Sequence, residues 1–337
     1  MDEKGTIPVQ SMRLPAEAAG LTEETSVAIT RQIQWAAVTL PSELASELAS
    51  GLASGLASGL AADSVATSYV CSGPQSGVPV VLLHGFDSSL FEFRRLVPQL
   101  VQQNLKQDQK QDLEQAPQQY RVWAVDLLGF GFCDRTATPQ VTPEAIKQHL
   151  LAFCQQVIGQ PVVLVGASMG GGVAIDFATS YPEQVRQLVL IDAVGFAAGP
   201  PIGKVMFSPL DKWATDFLRS PGVRRKISEK AYCDPTFVTP DAALCASLHL
   251  RMPDWQRALI AFTKSGGYNF LSTKIARIVT PTLVLWGRQD KILGTKDAAR
   301  FERAIANCEL VWVEDCGHVP HLEQAKITAA HILDFLQ

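Results

Sequence analysis

The chain has 337 residues, 47% of them hydrophobic and 18% charged, with a formal net charge of −4. That balance suits a packed globule large enough for one α/β domain carrying an insertion, and excludes a disordered chain or a small disulfide scaffold. A mildly acidic chain lacks the basic footprint that neutralises a phosphate backbone, so nucleic acid is not an expected partner.

In chain order, the first ten residues, MDEKGTIPVQ, lack the basic-then-apolar pattern of a secretory signal. Two runs with β-branched or aromatic residues in rough alternation, Gln32 to Val38 and Val65 to Cys71, predict strands. Between them, residues 42–61 read SELA SELA SGLA SGLA SGLA. On a helix a four-residue period overshoots each turn by about 40°, and Gly51, Gly55 and Gly59 each oppose helix by about 1 kcal/mol. With Ser in every unit and Glu43 and Glu47 inside the run, a spacer is expected rather than a membrane segment. Such a spacer would be an expanded hairpin loop, which costs little because closure entropy grows only logarithmically with length. The Gln-rich stretch from Gln102 to Gln119 has no apolar periodicity and is expected to lengthen a surface connection.

Six near-continuous apolar runs follow: Pro79 to Leu83, Arg121 to Val125, Val162 to Val165, Gln187 to Ile191, Thr282 to Trp286 and Glu309 to Val313. Runs of this kind suit parallel strands buried on both faces. Phe91 to Val101, Pro143 to Ile158, Gly171 to Ser180 and Lys296 to Ala306 carry helical spacing between them. The alternation predicts an α/β fold with a mostly parallel, doubly wound sheet. From Ala193 to about Val279 the rhythm breaks, and helical patches at Leu210 to Leu218 and Asp241 to Leu250 predict an inserted helical cap. Seven scattered cysteines with no CxxC pair read as free thiols in a reducing compartment, and no apolar run approaches the ~20 residues of a membrane span. The expected protein is cytoplasmic, without stable membrane insertion.

The chemistry is concentrated where strands end. Strand Val162 to Val165 runs into Gly166-Ala167-Ser168-Met169-Gly170, a G-x-S-x-G at a strand-to-helix turn. Glycines there allow a sharp turn with no room for a Cβ, and the following helix aims its free N–H groups at a developing anion. A serine hydroxyl needs a base to take its proton and an acid to orient that base. His318 lies in the loop after the last strand, and Asp290 lies just past Thr282 to Trp286, in the chain order Ser, Asp, His. Asp192, at the end of Gln187 to Ile191, and Asp315 are rivals for the acid, with Asp290 preferred. Oxyanion donors are expected from the Met169 N–H and from the Phe86 N–H in the turn His84-Gly85-Phe86-Asp87. His84, Asp126 and His321 are expected to be scaffold. Arg224, Arg225 and Lys226 could meet an anionic substrate, but a solvated helix face is the preferred reading. Trp213, Phe217, Leu218, Trp255 and Phe262 suggest an apolar pocket, though packing between cap helices would explain them equally well.

Together, Leu83-His84-Gly85-Phe86, Asp126-Leu127-Leu128-Gly129-Phe130-Gly131, the Ser168 turn, Gly287-Arg288-Gln289-Asp290 and Gly317-His318 resemble the landmarks of the α/β-hydrolase superfamily. The resemblance covers roughly residues 65–337 and is greatest to the capped branch that holds esterases, meta-cleavage C–C hydrolases, epoxide hydrolases and haloalkane dehalogenases. It implies an eight-stranded sheet under a helical cap. Epoxide hydrolases and dehalogenases use an aspartate nucleophile, whereas Ser168 stands here, which favours acyl transfer. The resulting division is an N-terminal extension (1–64), a core in two parts (65–194 and 276–337) and a cap (195–275). The expected activity is cofactor-free and metal-free hydrolysis of an ester-type bond in a small-molecule substrate. A C–C bond hydrolase, a cofactor-free haloperoxidase or lyase, and a ligand-binding member of the same fold are the alternatives; oligomeric state is left open.

Overall fold

The computed structural model describes residues 12–41, 64–108, 119–135, 140–196 and 208–337. The eight strands are β1 (Gln34–Thr39), β2 (Ser64–Ser72), β3 (Val78–Leu83), β4 (Tyr120–Val125), β5 (Val162–Ala167), β6 (Val185–Ile191), β7 (Thr282–Gly287) and β8 (Cys308–Val313). They form one sheet in the order β1-β2-β4-β3-β5-β6-β7-β8. β2 is antiparallel to both its neighbours, and every pairing from β4 to β8 is parallel.

The apolar runs are continuous because both faces of the sheet are covered. On β3, Val81 and Leu83 enter one core while Val80 and Leu82 enter the other, and on β5 Leu164 and Val165 divide in the same way. Alternate side chains leave a strand on opposite faces, so a strand buried on both sides needs an apolar residue at each position.

The helices before β6 are α1 (Glu24–Gln32), α2 (Leu96–Asp108), α3 (Pro143–Phe153) and α4 (Met169–Ser180). α3 begins at Thr142, whose hydroxyl accepts from Ala145 N at 3.1 Å, with proline in the first turn, where its missing N–H costs nothing. Between β6 and β7 lie α5 (Leu210–Arg219), α6 (Pro221–Ala231), α7 (Pro240–Cys245), α8 (Trp255–Ser265) and α9 (Ser272–Ile275). α10 (Ala298–Ala304), α11 (Pro320–Glu323) and α12 (Ala325–Phe335) complete the chain.

Two sequence expectations shift. Gln32 ends α1 rather than starting a strand, and the Gln-rich stretch begins as the last turns of α2, with residues 109–118 outside the described residues. The tetrapeptide repeat also lies outside them. α1 has no N-cap side chain of its own; Asp241 of α7 supplies one, accepting from Thr22 N at 2.6 Å, Glu23 N at 2.9 Å and Ser26 Oγ at 2.6 Å. A carboxylate at a helix N-terminus satisfies orphan donors and meets the positive end of the dipole. The pairing spans more than two hundred residues, so no local signal could announce it.

Candidate active site

Ser168 sits between β5 and α4 with φ at +50°, a left-handed conformation that costs a non-glycine residue on the order of 1–3 kcal/mol. Close packing makes the turn possible. A Cβ on Gly170 would lie 2.0 Å from the carbonyl oxygen of Leu83, and one on Gly166 would lie 2.3 Å from that of Gly170. The turn after β3 is equally near, since a Cβ on Gly85 would stand 3.4 Å from Ser168 Cβ. The Gly85 amide donates to Glu92 Oε2 at 2.7 Å, so the next amide, that of Phe86, follows a donor already spent. Met169 opens α4, and the first amides of a helix have no acceptor within it.

At the ends of β7 and β8 two loops meet. Gly287 lets them touch, because a Cβ there would fall 1.8 Å from the carbonyl oxygen of Gly317. His318 Nδ1 and Asp290 Oδ2 are 2.9 Å apart. Asp290 Oδ1 accepts from Ile292 N at 2.7 Å and Leu293 N at 3.1 Å, which fixes the carboxylate's second oxygen. Burial pushes the Asp290 carboxyl up, but the hydrogen bond and charge of His318, with those two amides, outweigh it and hold the group below its usual range. An ionised Asp290 accepts a hydrogen bond from Nδ1–H and leaves Nε2 as the basic nitrogen. The histidine loop is pinned by Glu323, which accepts from Gly317 N at 2.7 Å, Cys233 N at 3.0 Å and Asp234 N at 2.7 Å, and by the His318 amide, which donates to Ala231 O at 2.7 Å.

Ser168 and His318 line one cavity of about 260 Å³, to which the helices between β6 and β7 also contribute side chains. Its wall is largely apolar, with Leu218 and Ile227 from α5 and α6 and Ile292, Val319 and Leu322 from the loops after β7 and β8. Glu92 stands in it, its carboxyl pushed up by burial despite the Gly85 amide.

Asp192, the rival acid, accepts from the Gly287 amide at 3.0 Å rather than from the histidine. Burial and then the charge of Asp290 lift its carboxyl well above the ordinary range. Asp192, Asp290 and His318 present ligand atoms within 4.8 Å of one another. The oxygens of that trio are already engaged by backbone amides and by each other's protons, which suits a proton-sharing cluster better than a cation. The folded state keeps a proton on Asp192 that the unfolded chain releases above its ordinary pKa of about 3.9. Stability contributed by this group is therefore complete below that pKa and declines as pH rises toward the folded pKa, by up to about 1.4 kcal/mol per unit. Asp192→Asn removes the decline, so its melting temperature relative to the parent protein should rise between pH 4 and pH 8. A difference that stays flat would contradict a neutral Asp192.

Asp315 is exposed. His84 and Asp126 are scaffold: His84 Nδ1 lies 2.8 Å from Gly85 O and Nε2 accepts from Leu127 N at 3.1 Å, with burial lowering its pKa to about 3. Asp126, lifted to about 6 by burial, accepts from Leu90 N, Phe132 N and Ser68 Oγ. His321 is buried against Phe93. Among the basic cap residues, Arg225 pairs with exposed Glu229, whereas Arg224 turns inward and bonds Asp87 Oδ2 at 2.7 Å. Asp87 also accepts from Trp255 Nε1 at 2.8 Å and stands 3.2 Å from His249 Nε2. This contact between the cap and the turn carrying Phe86 went unread in the sequence, because its partners lie over a hundred residues apart. The two readings open for the apolar side chains between β6 and β7, a pocket or packing between helices, divide among them. Trp213 and Phe217 are exposed, Trp255 is committed to Asp87, and Phe262 packs on Phe86 and Phe130; of the five, Leu218 lines the cavity.

A family model described as "Alpha/beta hydrolase family" matches residues 80–331. The chain belongs to that family. It is 35% identical over 258 residues to the alpha/beta hydrolase domain-containing protein VTE7 of Arabidopsis thaliana, across 76% of this chain and 73% of that one. It is 28% identical to a 2-hydroxymuconate semialdehyde hydrolase of Pseudomonas putida, across 66% of this chain and 79% of that protein. Among solved structures, a thermophilic esterase from Thermogutta terrifontis aligns with a TM-score of 0.67 at 23% identity, covering 90% of this chain and 98% of its own.

Proposed function

We propose that this chain is a serine hydrolase that cleaves an ester-type bond of a small, largely apolar substrate through an acyl-enzyme. Ser168 Oγ attacks the carbonyl carbon while its proton passes to His318 Nε2, and the developing oxyanion is met by the N–H groups of Phe86 and Met169. The imidazolium returns the proton to the leaving alcohol. A water, deprotonated by the same nitrogen, then attacks the acyl carbon and releases Ser168 with the acid product. Asp290 fixes the tautomer and stabilises the cation. The observation that carries this reading is the 2.9 Å contact of His318 Nδ1 with Asp290, on a histidine that faces the same cavity as the strained Ser168 turn.

Two measurements test it. A fluorophosphonate probe should label the protein at Ser168, and labelling that survives replacement of Ser168 would remove the nucleophile from the scheme. On p-nitrophenyl esters of lengthening acyl chain, kcat/KM should climb by about fourfold per added methylene, as each buried CH₂ is worth ~0.8 kcal/mol. The climb should level off once the chain outgrows a cavity of about 260 Å³. Labelling at Ser168 without turnover of any ester would shift the reading to a C–C bond hydrolase.

A further inference from the structure

Helix α5 presents its polarity the wrong way round for a helix in water. Its buried positions are Asp211, which pairs with Lys264 Nζ at 2.7 Å, and Thr215, whose hydroxyl accepts from Gln256 Nε2 at 2.8 Å. Leu210, Trp213 and Phe217, spaced to share one stripe, are 45%, 64% and 65% exposed. A surface helix ordinarily turns such a stripe to the core, and a cluster of large exposed apolar side chains marks a surface meant for another apolar phase. The next helix, α6, carries Arg224, Arg225, Lys226 and Lys230 against the single acid Glu229, in a chain of formal net charge −4. Arg224 is engaged by Asp87 and Arg225 by Glu229; among the described residues Lys226, Lys230 and Lys212 of α5 have no acidic partner within salt-bridge distance. Ile227, 41% exposed, sits among these cations and also lines the cavity with Leu218.

We propose that the outer face of α5 and α6 docks on the surface of an anionic lipid bilayer, with Leu210, Trp213 and Phe217 entering the interfacial layer and the lysines meeting acidic headgroups. Exposed aromatic side chains beside unpaired cations are the composition that such a surface binds. Charge selects this occupant over a second copy of the chain, since a two-fold interface would set the basic helix against its own image. No described helix is long and apolar enough to cross a membrane; the docking proposed is shallow, through three side chains on one helix.

The test is flotation of the full chain with vesicles of phosphatidylcholine alone or with roughly one-third phosphatidylglycerol. The protein should float with the anionic vesicles, lose them as salt shortens the screening length, and bind pure phosphatidylcholine about tenfold less. Trp213→Ser with Phe217→Ser, and separately Lys226→Glu with Lys230→Glu, should each cut the bound fraction about tenfold. Both pairs should leave hydrolysis of a soluble ester, and the melting temperature, close to those of the parent. Failure to float on either vesicle, or flotation indifferent to both pairs of substitutions, overturns the proposal. So does sedimentation showing a dimer that the aromatic substitutions dissociate, or a Trp213 emission already shielded from quencher without lipid, as expected if residues 197–207 of the same chain cover the face. Flotation needs no turnover: Ser168→Ala should float like the parent, so loss of the hydrolase reading and loss of the docking face are separate outcomes.

Discussion

Replacing Ser168 by alanine should lower kcat/KM for p-nitrophenyl butyrate by a factor on the order of 10⁴–10⁶, the usual consequence of deleting the nucleophile from a unit that acts as a whole. Turnover left after the change would come from binding and the oxyanion donors alone. Stability should barely move, because alanine keeps the φ of +50° that the turn imposes. Ser168→Gly should be equally inactive and yet more stable than the alanine variant by about 1 kcal/mol, since glycine adopts that backbone without a Cβ penalty. The pair separates chemistry from strain. Activity within tenfold of the parent in either variant would exclude Ser168 as nucleophile.

Asp290→Asn should cost a factor on the order of 10⁴ in kcat at pH 7. The amide would offer a donor where Nδ1–H needs an acceptor, turning the imidazole toward the wrong tautomer and removing the charge that stabilises its cation. Asp192→Asn stands in deliberate contrast. Asp192 accepts from the Gly287 amide and, being neutral, can donate toward Asp290. An asparagine oxygen and NH₂ can reproduce both contacts, so kcat should stay within about tenfold of the parent. The reverse ranking of the two variants would hand the role of triad acid to Asp192.

The parallel strands were readable because burial on both faces writes a continuous apolar run into the chain, and the Ser168 turn because sharp geometry demands glycine. That Asp290 and His318 would meet was readable from their places just beyond neighbouring strand ends. Periodicity could locate the apolar stripe of α5 but not the side that faces the protein, because a helical wheel has no outside. Trp213 and Phe217, for which a pocket and packing between helices read equally well, are instead exposed and line no part of the cavity. The contacts of Asp87 with Arg224, His249 and Trp255, and of Asp241 with the start of α1, arise from side chains that meet only after the sheet and cap are assembled. Glu92 was passed over for the same reason, as nothing in HGFDSSLFEF shows that its carboxylate returns to Gly85.

The register of the first hairpin carries a consequence for how this chain tolerates change. Thr39 is directly opposite Ser64, so the polypeptide re-enters the sheet beside the point at which it left, whatever length of sequence intervenes. Both strands lie at the margin furthest from β8, with β4, β3, β5, β6 and β7 standing between them and the strand that leads into the histidine loop. A flexible insert placed between Thr39 and Ser64 should therefore cost only about 0.6 kcal/mol per doubling of its length. That makes this margin, remote from Ser168 and His318 along the sheet, a natural place to splice in foreign sequence.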